Sequence, residues 1–134
     1  MMIGERIAAE ALTWCGTPGV AQGRLKGVGC DCKGLLAGVA KACGRPEGDS
    51  LQALAADYGP LIPVRRLRQG LADLFDPVQG VQPGDILLLK MGGKAQHLAI
   101  AINEREMVHC YPGKHVLRAW IAAGRRLDSV WRWR

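Results

Sequence analysis

Apolar residues change their period once along this chain, and that change constrains the fold more than any other feature. Up to about residue 76 they recur at helical spacing; from about residue 85 they form short runs of strand length between turn residues. Helices first and strands afterwards predict an α+β fold, N-terminal helices packed on a C-terminal antiparallel sheet, rather than alternating βαβ units. Ile3, Ile7, Ala8, Ala11, Leu12 and Cys15 mark a first helix, which Gly16-Thr17-Pro18 stops. A glycine-rich loop runs from Gly19 to Gly29. Leu35, Leu36, Val39 and Ala42 then mark a second helix that opens near Cys32 and ends about Gly44-Arg45-Pro46. Shorter helical patterns cover Ser50–Tyr58, with Ser50 as the expected cap, and Val64–Phe75. Gln82-Pro83-Gly84-Asp85 reads as a turn. Strands are expected at Ile86–Leu89, His97–Ile102, Glu106–Tyr111, His115–Leu117 and Leu127–Trp133, with turns at Gly92-Gly93 and Pro112-Gly113. Their short spacing predicts an antiparallel meander.

A length of 134 residues fits one domain over 1–134 and leaves no room for a second core. With 49% hydrophobic and 22% charged residues the chain can bury that core, which excludes disordered and fibrous classes. Eighteen Lys and Arg against twelve Asp and Glu give a net charge of +6. That excess suits an anionic partner: nucleic acid, a membrane surface or the cell envelope. Met1 to Ala11 contains Glu5, Arg6 and Glu10, with no basic head, apolar run and cleavage site, so synthesis in the cytoplasm without a signal peptide is expected. No stretch approaches the roughly 18 apolar residues of a membrane span, and no membrane insertion is expected.

Five cysteines, Cys15, Cys30, Cys32, Cys43 and Cys110, make an odd set at irregular spacing that does not read as a disulfide framework. The sharpest local feature is Gly29-Cys30-Asp31-Cys32-Lys33-Gly34. A cysteine opening a helix meets unpaired N–H groups and the positive end of the helix dipole. Both favour thiolate, so Cys32 is expected to have a depressed pKa and to act as a nucleophile. The competing reading is a small buried apolar side chain. Gly34 lets another segment or a substrate approach closely. A nucleophilic cysteine needs a base. His97 opens the run His97–Ile102 and His109 lies in Met107–Tyr111. If these strands pair around a loop with an odd number of residues, the two imidazoles share a face as diagonal neighbours roughly 7–8 Å apart; an even loop splits them. His115, beside a turn, is expected to be solvated.

Four segments carry a family resemblance. Asp31-Cys32-Lys33-Gly34-Leu35 resembles the D-C-S-G-L motif of the NlpC/P60 cysteine peptidases, and His97-Leu98-Ala99-Ile100-Ala101-Ile102 resembles their H-V-G-I-Y-I strand. His109 follows His97 by twelve residues, as the family's second histidine follows its first, and Gln82–Leu88 resembles the family's P-G-D-L-L-F run. Trp14–Pro18 and Lys26–Cys32 resemble the branch encoded by phages and gene transfer agents. The resemblance spans nearly the whole chain. It implies a compact papain-like NlpC/P60 fold and hydrolysis of peptidoglycan stem peptides, such as the D-γ-glutamyl-diaminopimelate bond. It also implies Cys32 as nucleophile, His97 as base, and His109 as the group orienting His97. Gln22, Asp31, Lys33 and Gly34 are then the neighbours that bind substrate or its oxyanion. No cofactor and no metal are implied; a phage or gene-transfer-agent tail hub or tip protein is the implied partner, and a virion or tail acting at the cell wall the implied location. Two positions depart from the pattern. Gly19 stands where the family commonly has a tyrosine hydroxyl near the scissile carbonyl, a loss of about 10²–10³ in rate for one such donor. The Gln22 amide is the expected substitute, beside the Cys32 N–H. Lys33 replaces a serine or large residue, and its ammonium either favours the thiolate or is simply solvated.

Three other readings compete. Cys30 and Cys32 with His109 and Cys110 supply zinc-type ligands, but C-x-C is tighter than the usual spacing, and adjacent strand residues point to opposite faces. Trp131 and Trp133 alternate with Arg132 and Arg134, and Arg65, Arg66, Arg68, Arg125 and Arg126 add charge, as in a ribbon that stacks on nucleic acid. Tryptophans facing the core and arginines facing water is the preferred account, and no nucleic-acid partner is expected. The third is a catalytically silent structural tail module of the same fold, which Gly19 favours. Cys15 and Cys43 are expected to pack helices; Cys30 and Cys110 are near neighbours of the site without a role.

Overall fold

Hydrophobic burial sorts this chain into a helical layer and one main sheet. The computed structural model describes residues 2–58, 62–91, 94–111, 113–121 and 126–134. The elements run α1 (Ile3–Thr13), β1 (Arg24–Leu25), β2 (Gly29–Cys30), α2 (Cys32–Ala42), α3 (Glu47–Tyr58), α4 (Val64–Leu74), β3 (Phe75–Val78), β4 (Ile86–Met91), β5 (Lys94–Ala101), β6 (Glu106–Cys110), β7 (Val116–Trp120) and β8 (Leu127–Trp133). The expected α+β class holds. The expected turn at Gly92-Gly93, Pro112 of the second turn, and Arg125 lie outside the described residues.

The core explains the order of elements. Leu35, Leu36 and Val39 of α2, Leu67 and Leu71 of α4, and Ile86, Leu88, Leu98, Ile100 and Val108 of the sheet form one buried cluster. Leu87, Leu89, Ala99, Ala101, Met107 and Val130 form a second, packed against Val78, Val81, Ala119 and Ile121. Both faces of β4 are therefore apolar, which is why its sequence is a continuous run rather than an alternation.

Several boundaries differ from the sequence expectation for local reasons. Helix α3 starts at Glu47, so Ser50 lies within it and does not cap it. Pro46 suits a helix start because its missing N–H needs no partner there, and Glu47 and Asp49 complement the positive end of the dipole. Helix α4 stops at Leu74 because Phe75 turns extended (φ −132°, ψ 164°) and opens β3, pairing with Trp133 of β8. That strand escaped the sequence reading because it contains Pro77, which a sheet tolerates at an edge, where β3 lies. The glycine-rich loop contains the short antiparallel pair β1–β2. The meander covers only β4-β5-β6-β7; β8 returns to lie between β3 and β4 in a six-stranded sheet ordered β3-β8-β4-β5-β6-β7. Cys43 is buried as expected, but Cys15 lies past the end of α1 and is exposed, so it packs no helix.

Asp85 locks the start of β4. It is 1% exposed and accepts from Arg132 Nε at 2.9 Å, from Arg132 Nη2 at 2.8 Å and from the Gln82 N–H at 2.8 Å. Trp131 and Trp133 are buried, so β8 sends its aromatics inward, while its Arg132 goes to the Asp85 carboxylate and Arg134, just past the strand, pairs with Asp76 at 3.0 Å. Asp85→Ala strands the half-buried Arg132 guanidinium and is expected to cost about 2–3 kcal/mol, discounted for that exposure. Urea titration should show a lower midpoint at unchanged slope; an unmoved midpoint would count against the lock.

Candidate active site

The site begins with a capped helix. Asp31 is the N-cap of α2: its Oδ1 accepts the Gly34 N–H at 2.7 Å, and its Oδ2 accepts the Gln22 N–H at 2.9 Å. Gln22 supplies that N–H from a left-handed backbone conformation, φ +64°. The Asp31 carboxylate therefore ties the loop before it to the helix after it. Cys32 follows as the first helical residue, 8% exposed. Its sulfur receives the backbone N–H groups of Lys33 and Leu98. Strands β5 and β6 pair through Ile100–Val108 and Ala101–Met107, and the Leu98 N–H reaches the thiol.

Register decides where the histidines go. The Ile102 N–H bonds to the Glu106 carbonyl at 2.9 Å, which closes a three-residue loop, Asn103 to Arg105, between β5 and β6. That odd loop gives His97 and His109 one face. Their rings are edge to face at 80°, with His97 Nε2 and His109 Nδ1 3.1 Å apart and both side chains buried. Sequence reasoning did not single out Tyr111. Continued by parity, the β5–β6 register sets it opposite His97, a signal that was available. Its ring lies on His97 at 4.5 Å and 10°.

Cys32, Asp31, Lys33, His97 and Cys110 line one cavity of about 210 Å³, with Ile62 and Leu67 as apolar wall. Burial governs its electrostatics. It raises the Cys32 thiol above its usual range, outweighing the Lys33 charge and the two N–H donors. This direction is opposite to the depressed thiol pKa expected from the helix start, because burial disfavours the charged form. Burial, followed by the neighbouring His109 and the Lys33 charge, pushes His97 down to about 3. His109 is lowered as well, by burial. At neutral pH the site holds a neutral thiol beside neutral imidazoles.

Those shifts set an acid limit on stability. The unfolded chain takes up a proton at His97 near its ordinary pKa of 6.5, whereas the folded chain resists until about 3. Stability from neutral His97 is present above pH 6.5 and is lost as pH falls toward 3. At about 1.4 kcal/mol per unit the loss reaches several kcal/mol. Thermal melts across this window should show a steep decline that His97→Gln flattens; parallel curves would refute it.

The remaining expected site residues divide. Lys33 and Asp31 line the thiol cavity, whereas Gln22 lies in an adjoining groove with Arg24, Gly34 and Gln52. Ala21, rather than Gln22, is among the residues lining the thiol cavity. A Cβ on Gly34 would meet the Gly23 carbonyl, which confirms the close approach expected there. His115 is exposed. Cys110 reaches the cavity, and its thiol donates to the Cys30 carbonyl at 3.4 Å. Among the described residues no group of three His, Cys, Asp or Glu is placed to hold a metal ion. Among them, too, no helix is long and apolar enough to cross a membrane.

No protein-family model matches this chain, and no curated protein matches its sequence. Solved structures do. The NlpC/p60 domain of the peptidoglycan hydrolase SagA aligns with a TM-score of 0.64 at 23% identity, covering 97% of this chain and 98% of that one. An NLP/P60-family lipoprotein-like protein of Staphylococcus aureus aligns at 0.63 and 21%, covering 96% of this chain and 40% of that one. RipD of Mycobacterium tuberculosis, a non-catalytic NlpC/p60 domain protein adapted to peptidoglycan binding, aligns at 0.55 and 20%, covering 98% of both chains. At these identities the likeness is one of fold: the chain folds as an NlpC/P60 domain.

Proposed function

We propose that this chain is a cysteine peptidase that hydrolyses amide bonds in peptidoglycan stem peptides, such as the D-γ-glutamyl-diaminopimelate bond. The observation that carries the reading is the 3.1 Å contact between His97 Nε2 and His109 Nδ1 beside a cavity that Cys32 shares with His97. That contact has one ring nitrogen donating and the other accepting, according to the tautomer. With the proton on Nε2 donated to His109, His97 keeps Nδ1 as the acceptor facing the thiol. Burial disfavours the charged forms of both thiol and imidazole, so in this reading the proton moves during the attack. The Cys32 sulfur bonds to the scissile carbonyl carbon as its proton passes to His97 Nδ1. The oxyanion faces the Cys32 N–H at the start of α2. Collapse expels the amine, which takes the proton back, and leaves a thioester. Water, deprotonated by His97, then releases the carboxylate and restores the thiol.

Gly19 favours a second reading, a domain that binds peptidoglycan without cutting it. The motif resemblances at Trp14–Pro18 and Lys26–Cys32 support delivery by a phage or gene-transfer-agent tail, with a hub or tip protein as partner. Incubating the full chain with purified peptidoglycan tests the first reading. New amino groups in the soluble fraction, absent with Cys32→Ala, are the expected result; sedimentation with the wall and no release would replace it with the second.

A further inference from the structure

The histidine pair does not by itself hold the reacting nitrogen in place. Histidine χ2 is a broad torsion. Nε2 lies nearer the axis of that rotation than Nδ1 does, so a hydrogen bond at Nε2 restrains the ring plane only weakly. A flat group against the face of the ring removes that freedom. Tyr111 supplies one: it stacks on His97 at 4.5 Å and 10°, and meets His109 edge-on at 4.5 Å and 85°.

We infer that Tyr111 is a positioning residue, whose ring holds His97 in the plane that aims Nδ1 at the thiol and stabilises the imidazolium formed there. This rests on the reading of His97 as the base. Cys32, Lys33, Asp31 and Cys110 line the cavity with His97, and His109 meets its ring. Lys33 and His109 oppose a positive charge on it. The π-face of Tyr111 favours that charge, by cation–π attraction.

The chain places Tyr111 through Gly19. The Gly19 N–H donates to the Lys114 carbonyl at 2.5 Å, and the Lys114 N–H donates to the Tyr111 carbonyl at 3.1 Å. A Cβ at position 19 would come within 2.7 Å of the Tyr111 carbonyl oxygen. The glycine that removes one hydroxyl from the site thus seats the turn that carries another aromatic into it.

Two measurements on the full chain test this. In peptidoglycan hydrolysis, Tyr111→Leu should lower kcat about tenfold with KM unchanged, while Tyr111→Phe stays within twofold of wild type. In imidazole nitrogen NMR at pH 7, wild type and Tyr111→Phe should show His97 as one tautomer with widely separated shifts. Tyr111→Leu should bring those shifts together. If Tyr111→Leu does not fold, Tyr111→Met keeps bulk without a ring. Unchanged shifts and kcat in the ring-less variant overturn the proposal, as does a Tyr111→Phe defect as large as that of Tyr111→Leu. If wild type releases no amino groups yet the NMR shifts respond as stated, the hydrolase reading fails while the positioning of His97 by Tyr111 stands.

Discussion

Cys32→Ala is expected to reduce release of amino groups from peptidoglycan by at least about 10⁴-fold, with the fold intact. Nucleophile deletions are that severe because base and orienter have no bond to make without the attacking atom, and only oxyanion stabilisation and binding survive. The structural cost should be small. Cys32 is 8% exposed at the first position of α2, and the cap there belongs to Asp31, which the substitution leaves untouched. Trimming one buried sulfur costs about 1 kcal/mol. The variant should therefore keep its melting temperature within a few degrees and still sediment with the wall. Cleavage by Cys32→Ala at a tenth of the wild-type rate or more would remove Cys32 from the mechanism.

Gly34→Ala should be strongly damaging for so small a substitution. On propensity alone, alanine inside a helix gains about 1 kcal/mol over glycine. Here a Cβ would fall on the Gly23 carbonyl, with the Gly23 carbonyl carbon at 3.0 Å and Asp31 Oδ1 at 3.2 Å. The obstruction is backbone, so no rotamer relieves it. The same Gly23 carbonyl accepts the Asp31 N–H at 3.2 Å, so moving it loosens the cap that presents Cys32. A net loss of about 2–3 kcal/mol follows, or a melting temperature lower by roughly 5–10 °C, with activity falling alongside. Thermal denaturation decides: an unchanged or raised midpoint would mean that the loop is not pressed against α2.

The motif residues were legible because their chemistry is local. An aspartate can cap a helix from its own side chain, a local signal, and α2 begins after Asp31. The parity of residues 97 and 109 turned on one unknown, the loop, which closes with three residues. Tyr111 obeys the same parity and went unremarked because an aromatic next to a turn carries no signal of its own. Strand β3 was hidden by Pro77, which only its edge position excuses. The return of β8 between β3 and β4 depends on long-range pairing, to which short-range periodicity is blind.

Electrostatics marks the boundary most clearly. The helix start argued for an acidic Cys32 thiol, yet the folded protein raises it and holds His97 at about 3. Helix dipoles and neighbouring charges can be read from adjacency along the chain. Desolvation cannot, because it depends on residues such as Ile62 and Leu67, far from Cys32 in sequence, that line the same cavity. The sequence alone determined the change from helical to strand period, and with it the α+β class. It also determined which thiol opens a helix and which two histidines could meet. Only the tertiary structure decided that the thiol and imidazole rest uncharged, that Gln22 stands outside the cavity, and that Tyr111 covers His97. Those outcomes follow from burial and through-space contact, which no local pattern encodes.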